Sequence, residues 1–137
     1  MKKKLFITAI LITGVLAAYC QGNLTPDSVM AKVVKGKMYT LVFLKPGKNI
    51  PKKSEADKQM QMDHLIHLFT MEREGKISIF GPVLRNEDLT GIIVFNSTDK
   101  EFIKNELKND PYIKGGYLKY ELLDWFSIPG QKIADKN

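Results

Sequence analysis

Two stretches of this 137-residue chain, MYTLVFLK (38–45) and LTGIIVFN (89–96), carry apolar side chains on both parities of a strand. Successive side chains of a strand point to opposite faces, so such a stretch is covered on both sides and belongs in the middle of a sheet. In the first, Tyr39, Leu41 and Phe43 point one way, and Met38, Val42 and Leu44 the other. Any fold for this chain has to bury both stretches twice over.

The intervening segments say how. After the loop PGKNIPKK, Ser54 with Asp57 three residues on resembles a capping box, and the pattern predicts a helix over 55–74 closed by Gly75 in the left-handed region. KISIFGPVL is a second strand whose Gly81-Pro82 interrupts the ladder and suits a sheet edge. Thr98 with Glu101 forms a T-x-x-E box opening a short helix through Phe102, Ile103 and Leu107, which Pro111 stops and turns. YLKYELLDWF is the last strand, and 128–137 is a polar, loose tail. Thr25 and Pro26 open a short helix within a lead-in, 21–37, ahead of the domain, 38–127. The order β-α-β-β-α-β is the ferredoxin-like plan, an α+β fold with two helices on one face of a four-stranded antiparallel sheet. Its usual strand order places the first and third strands centrally, where the doubly apolar pattern wants them. The face without helices is apolar as well, and no remaining segment is long enough to cover it. A second copy packing sheet to sheet is therefore expected, a homodimer.

The N-terminus has a separate build. MKKKLFITAILITGVLAAYC is a basic n-region, then an uncharged apolar run too short to span a bilayer comfortably, then small residues: a secretory signal over 1–20. An exported protein, periplasmic or extracellular, with no membrane span, is the expectation. Cys20 invites a lipid anchor, which is disfavoured because Tyr19 is not the small residue a lipidation box wants before its cysteine. Losing Lys2, Lys3 and Lys4 leaves 18 basic residues against 15 acidic ones, a net of +3. No basic stripe with interleaved aromatics survives, so nucleic acid is not an expected partner. Cys20 is the only cysteine, so the mature domain has no disulfide, thiol nucleophile or cysteine metal site, and a core alone holds it.

Two histidines, both in MDHLIH, are the only ones present. On a helical wheel Met62, Leu65, Ile66 and Phe69, with Leu68 flanking, gather on the side expected to pack on the sheet. His64 and His67 fall opposite, in a stripe with Met60 and Met71 at i, i+4, i+7 and i+11. That stripe reads as a solvated outer face, as a contact seam, or as thioether and imidazole ligands favouring copper, although no second ligand-bearing segment completes a site.

Several of these pieces resemble the YCII-related family of small α+β proteins. They are the strand MYTLVFLKPG, the histidine of DHLIHLFTMEREGK with Gly75 after it, the FGPVL that follows, and NDPYIKGGYLKYELLDWF, in that order and spacing across 38–126. The resemblance implies a dimeric α+β barrel of ferredoxin-like protomers; no cofactor is expected. It also implies a site: the family's characteristic histidine and aspartate match His64 and Asp110, and at least one relative is a dehydrochlorinase acting on a chlorinated hydroxyquinol. A carboxylate bonded to one imidazole nitrogen fixes the tautomer and leaves the other as a general base. Proton abstraction with loss of a leaving group from a small cyclic ligand would use that pair, with Tyr112 orienting a hydroxyl and Gly81-Pro82 letting a ligand approach backbone. Against this stands an ordinary alternative, since Asp before Pro after a helix is a common turn former whose side chain caps backbone. A non-catalytic binding or assembly module is the competing function.

Overall fold

The computed structural model describes residues 24–131, 133 and 134; the leader 1–20, with Cys20 and the lipidation question, lies outside them. Along the chain come α1 (Pro26–Val33), β1 (Lys37–Pro46), α2 (Glu55–Arg73), β2 (Ile77–Pro82), β3 (Gly91–Phe95), α3 (Lys100–Lys108), α4 (Pro111–Lys114) and β4 (Leu118–Ser127). The four strands form one antiparallel sheet in the order β2-β3-β1-β4, which is the ferredoxin-like arrangement. The two doubly apolar strands are the central pair, and the Gly81-Pro82 strand is an edge, where a missing ladder N–H costs least.

Alternation along β1 separates the faces. Thr40, Val42 and Leu44 are buried on the helix side, where Val42, Leu44, Ile93 and Phe95 of the sheet pack with Leu68 and Met71 of α2 and Ile103 and Leu107 of α3. The β1–β3 and β1–β4 registers pair Leu41 with Val94 and Leu123, and Tyr39 with Trp125. These residues, with Phe43 and Ile92, make a second apolar face turned away from the helices. Tyr39 and Trp125 pack there with their rings tilted by 50° and centroids 6.1 Å apart. Residues 128–131, directly after β4, are held against the sheet more closely than their composition predicts. Ser127 Oγ donates to Gln131 Oε1 at 3.0 Å, and Ile128 to Gln131 share a cleft with Tyr39, Ile79 and Val94.

The helix termini follow local chemistry, with two corrections. The Ser54–Asp57 capping box of α2 is complete, and Gly75 beyond its end takes φ +73°. α3, however, is capped by Asp99 and not Thr98: the Asp99 carboxylate accepts from the backbone N–H groups of Glu101 and Phe102. Asp is as good a cap as Thr or better, and it sits one residue nearer the first turn. Beyond α3 the chain does not simply turn at Pro111. Pro111 is the first residue of α4, a position proline tolerates because that N–H has no helical partner, and Asp110 is its N-cap.

The orientation of α2 overturns the wheel expectation. Leu68 and Met71 are its buried residues, whereas Met62, Ile66 and Phe69 are each more than half exposed. The histidine stripe is thus the inner side. The helix is apolar most of the way round, so the wheel alone had two solutions. Burying Leu68 and Met71, three residues apart, brings Met60, His64 and His67 inward with them. Polar partners on α3 and at its end receive both imidazoles, which makes that choice affordable.

Candidate functional site

His64 leans from the middle of α2 onto the α3–α4 junction. Its Nδ1 lies 2.6 Å from Asp110 Oδ2, and the Asp110 side chain is completely buried. The backbone places this carboxylate: Asp110 N–H bonds the Leu107 carbonyl at 3.1 Å as α3 ends, and α4 starts at the next residue. Its other oxygen, Oδ1, accepts from the N–H groups of Tyr112 (2.9 Å) and Ile113 (3.3 Å). Asp110 is therefore both things the sequence offered, a cap through one oxygen and a histidine partner through the other. A carboxylate is acceptor-only, so Nδ1 carries the hydrogen, and in the neutral ring Nε2 presents its lone pair. No buried side-chain nitrogen or oxygen among the described residues lacks a partner, and Nε2 has no protein partner there, so Nε2 is an accessible atom.

What it opens towards is a cavity of about 590 Å³, within the range of small-molecule sites. Leu44, Ile93, Leu65 and Leu68 form its floor, and Phe80, Gly81, Pro82, Thr90, Gly91 and Ile92 one wall. The opposite wall holds Tyr112, Tyr117 and Leu118, and the turn after β1, with Asn49, Ile50 and Pro51, closes the end. Tyr112 packs edge-on against His64 (centroids 5.2 Å apart) and against Tyr117 (5.4 Å). Both phenols titrate above their ordinary value, through burial first and the nearby Asp57 carboxylate second. The Tyr117 hydroxyl donates to Asp57 Oδ1 at 3.3 Å. Asp57 titrates below its usual range, chiefly because the Ser54 side chain bonds it.

The turn after β1 is strapped to the α4–β4 connection. Gly47 N–H bonds the Tyr117 carbonyl (2.8 Å), Asn49 N–H the Gly116 carbonyl (3.0 Å), and Asn49 Nδ2 the Gly115 carbonyl (2.7 Å). Gly47 is required by this closeness, because a Cβ there would fall 2.2 Å from the Gly116 carbonyl oxygen.

Of the sequence-selected residues, His64, Gly81, Pro82 and Tyr112 all line the cavity, and Asp110 stands behind His64. Gly81 has open space where a Cβ would stand, but its pairing with Ile92 turns that position to the sheet face away from the helices and the cavity. The Met60, His64, His67 and Met71 stripe does not converge. His67 Nε2 lies 3.2 Å from the Glu106 carbonyl, Met71 is in the core, and His64 is turned to Asp110. Tyr117 and Asp57 are the site residues that sequence reasoning passed over. Asp57 was visible only as a cap, and nothing local announces that Tyr117 reaches it from 60 positions away.

No protein-family model matches the chain, and no curated protein matches it. Solved structures do. The 5-chloro-2-hydroxyhydroquinone dehydrochlorinase TftG of Burkholderia phenoliruptrix, in complex with 2,5-dihydroxybenzoquinone, superposes with a TM-score of 0.49 at 20% identity, over 64% of this chain and 92% of that one. A muconolactone isomerase superposes with a TM-score of 0.53 at 15% identity, over 72% of this chain and 99% of that one. At such identity a likeness speaks to fold alone: the chain has a ferredoxin-like α+β fold, which the muconolactone isomerase shares.

Proposed function

We propose that this chain is an exported, homodimeric, YCII-like protein that binds a small cyclic molecule, with His64 acting on it as a general base and Asp110 as its orienter. The observation that carries the reading is the buried 2.6 Å pair, with the second imidazole nitrogen left accessible beside a cavity of about 590 Å³. The chemistry is proton transfer or elimination: Nε2 takes a proton from a ring hydroxyl or an acidic carbon, and the released electron pair shifts a double bond or, once the ring carbon bearing the leaving group has taken up a proton, that of the remaining hydroxyl expels the leaving group with its bonding electrons. Asp110 stabilises the imidazolium that forms, and the rigid carboxylate spares the ring any search for its orientation. Tyr112, edge-on to His64, borders the place where a ligand hydroxyl would sit, and the edge strand at Gly81-Pro82 supplies a flat backbone wall. The sequence resemblance across 38–126 supports the same pair, and the basic-then-apolar leader supports export.

The test is turnover of a chlorinated hydroxyquinol, followed by chloride release and by deuterium exchange at ring carbon, in the wild type, His64→Ala, Asp110→Asn and His67→Ala. General-base catalysis of this kind contributes about 10²–10⁴-fold, so the first two variants should lose that much. His67→Ala should keep its activity. Turnover undiminished in His64→Ala would sink the proposal.

A further inference from the structure

We infer that one end of the molecule docks on an anionic lipid bilayer, with Ile50 and Leu84 entering the apolar phase and Lys48, Lys52 and Lys53 lying among the headgroups. The inference stands independently of what His64 does. Strand pairing puts both tips at the same end of the sheet. Pro46 pairs with Leu118, and Gly91 with both Leu44 and Pro82, so the loop after β1 and the β2–β3 hairpin leave the sheet together. Ile50 and Pro51 of the loop and Pro82 and Thr90 of the hairpin line the cavity there. Each connection holds one aliphatic side chain out to water: Ile50 is 82% exposed and Leu84 78%.

The loop is fastened on both sides of Ile50. Gly47 and Asn49 are tied to the α4–β4 connection, and Asp57 Oδ2 accepts from the N–H groups of Lys52 (2.9 Å) and Ser54 (3.0 Å). Lys53, between those two donors, sits at φ +60°, a conformation a non-glycine residue keeps only where its surroundings enforce it. An aliphatic side chain fixed in this way gains only when an apolar phase meets it. A second copy on the open sheet face would not supply that phase, because Ile50 lies at the cavity, on the helix side.

Charge names the phase. Residues 47–54 contain Lys48, Lys52 and Lys53 and no acid. All three lysines are exposed, and among the described residues none is in an ion pair. Glu55, the next acid along, is paired with Lys58. In the hairpin Arg85 stands against Glu87 and Asp88, so the two connections carry +3 − 1 = +2, all of it from the loop. The loop cations are lysines, whose long stems let an ammonium reach the headgroups while the tip beside them is immersed. Recognition of a protein's carboxylates in fixed geometry would favour arginine. Two separate aliphatic tips suit a fluid apolar phase better than a matched protein surface. Docked in this way, the mouth of the cavity stands at the membrane.

The test is co-sedimentation of residues 21–137 with vesicles of phosphatidylglycerol and phosphatidylcholine in equal parts, and of phosphatidylcholine alone. That chain holds every core residue and lacks the apolar leader, which could bind lipid itself. The expected result is binding to the anionic vesicles that weakens with salt, and little to the neutral ones. A lysine near an anionic surface contributes about fivefold, so combining Lys48→Gln, Lys52→Gln and Lys53→Gln should lose roughly a hundredfold. Ile50→Ser and Leu84→Ser should each lose about tenfold. All five positions are exposed, so circular dichroism should be unchanged in every variant. Equal binding to both vesicles, undiminished binding by the lysine variant, or none up to millimolar lipid overturns the inference. So does a loss with the lysines alone, which would mean adsorbed charge without inserted tips. A fall in sedimentation mass in Ile50→Ser, with no vesicle binding by the wild type, would give the tip to a second copy instead and overturn it too.

Discussion

At the scale of single residues, Asp110 bears the most. Its two oxygens do different work, one capping α4 and one holding His64. Substitutions separate the two jobs. Asn is as good an N-cap as Asp, so Asp110→Asn keeps the cap and the fold, but its amide can turn an N–H towards Nδ1. His64 should then move its hydrogen to Nε2, a tautomer switch visible in the imidazole ¹⁵N shifts. An unchanged Nδ1–H tautomer would show that Asp110 does not set it. Asp110→Ala loses about 1 kcal/mol of cap and strands the Nδ1 hydrogen at about 1–3 kcal/mol more. Urea denaturation should therefore find Asp110→Ala about 2–4 kcal/mol less stable than the wild type. Sequence pattern showed His64 and Asp110 separately, as a helical residue and a turn residue 46 positions apart, and only the family resemblance linked them. Nothing local could, because the link is a contact across the fold.

At the scale of elements, the start of α2 ties cap chemistry to the cavity. Asp57 closes the capping box with Ser54 and also receives the Tyr117 hydroxyl, so one carboxylate joins a helix terminus to the wall. Its titration is depressed in the folded chain. The sign follows: the stabilisation is present above the unfolded value, near 3.8, and is lost as pH falls through the lower folded value. Wild type and Asp57→Asn should differ in chemical stability at pH 6, and the gap should close on acidification below pH 3.8. A gap independent of pH would assign the effect to packing instead. Element existence was legible here because caps and breakers are local: Ser54, Gly75 and Gly81-Pro82 all act within a few residues. The orientation of α2 was not. With Met62, Ile66 and Phe69 on one side and Met60, Leu68 and Met71 on the other, both faces look equally fit for a core. The α3 start was misassigned for a related reason, since two good caps, Thr98 and Asp99, stand side by side.

At the scale of the whole molecule, the sheet leaves Tyr39, Leu41, Phe43, Ile92 and Leu123 half-buried on the side away from the helices. Trp125 is 38% exposed there. In the proposed dimer a second copy covers this face. Sedimentation equilibrium should return twice the chain mass, and Leu123→Glu, which sets a charge in the middle of the face, should return the monomer with its circular dichroism intact. A monomeric wild type would end the dimer proposal. The cleft shared by Ile128 to Gln131 with Tyr39 and Val94 lies at one end of the same face, so the copies would meet mainly over the rest of it.

By itself the sequence determined the order of the four strands and the three longer helices, the two central strands, the edge strand, the start of α1 and both ends of α2. All of these depend on residues within one or two turns of each other. Only the tertiary structure decided which side of α2 is buried, that Asp110 both caps and pairs, and that Tyr117 and Asp57 meet at the cavity. These depend on partners 46 and 60 positions away, and a buried polar group takes its side of a helix from whichever partner the fold brings within hydrogen-bond reach.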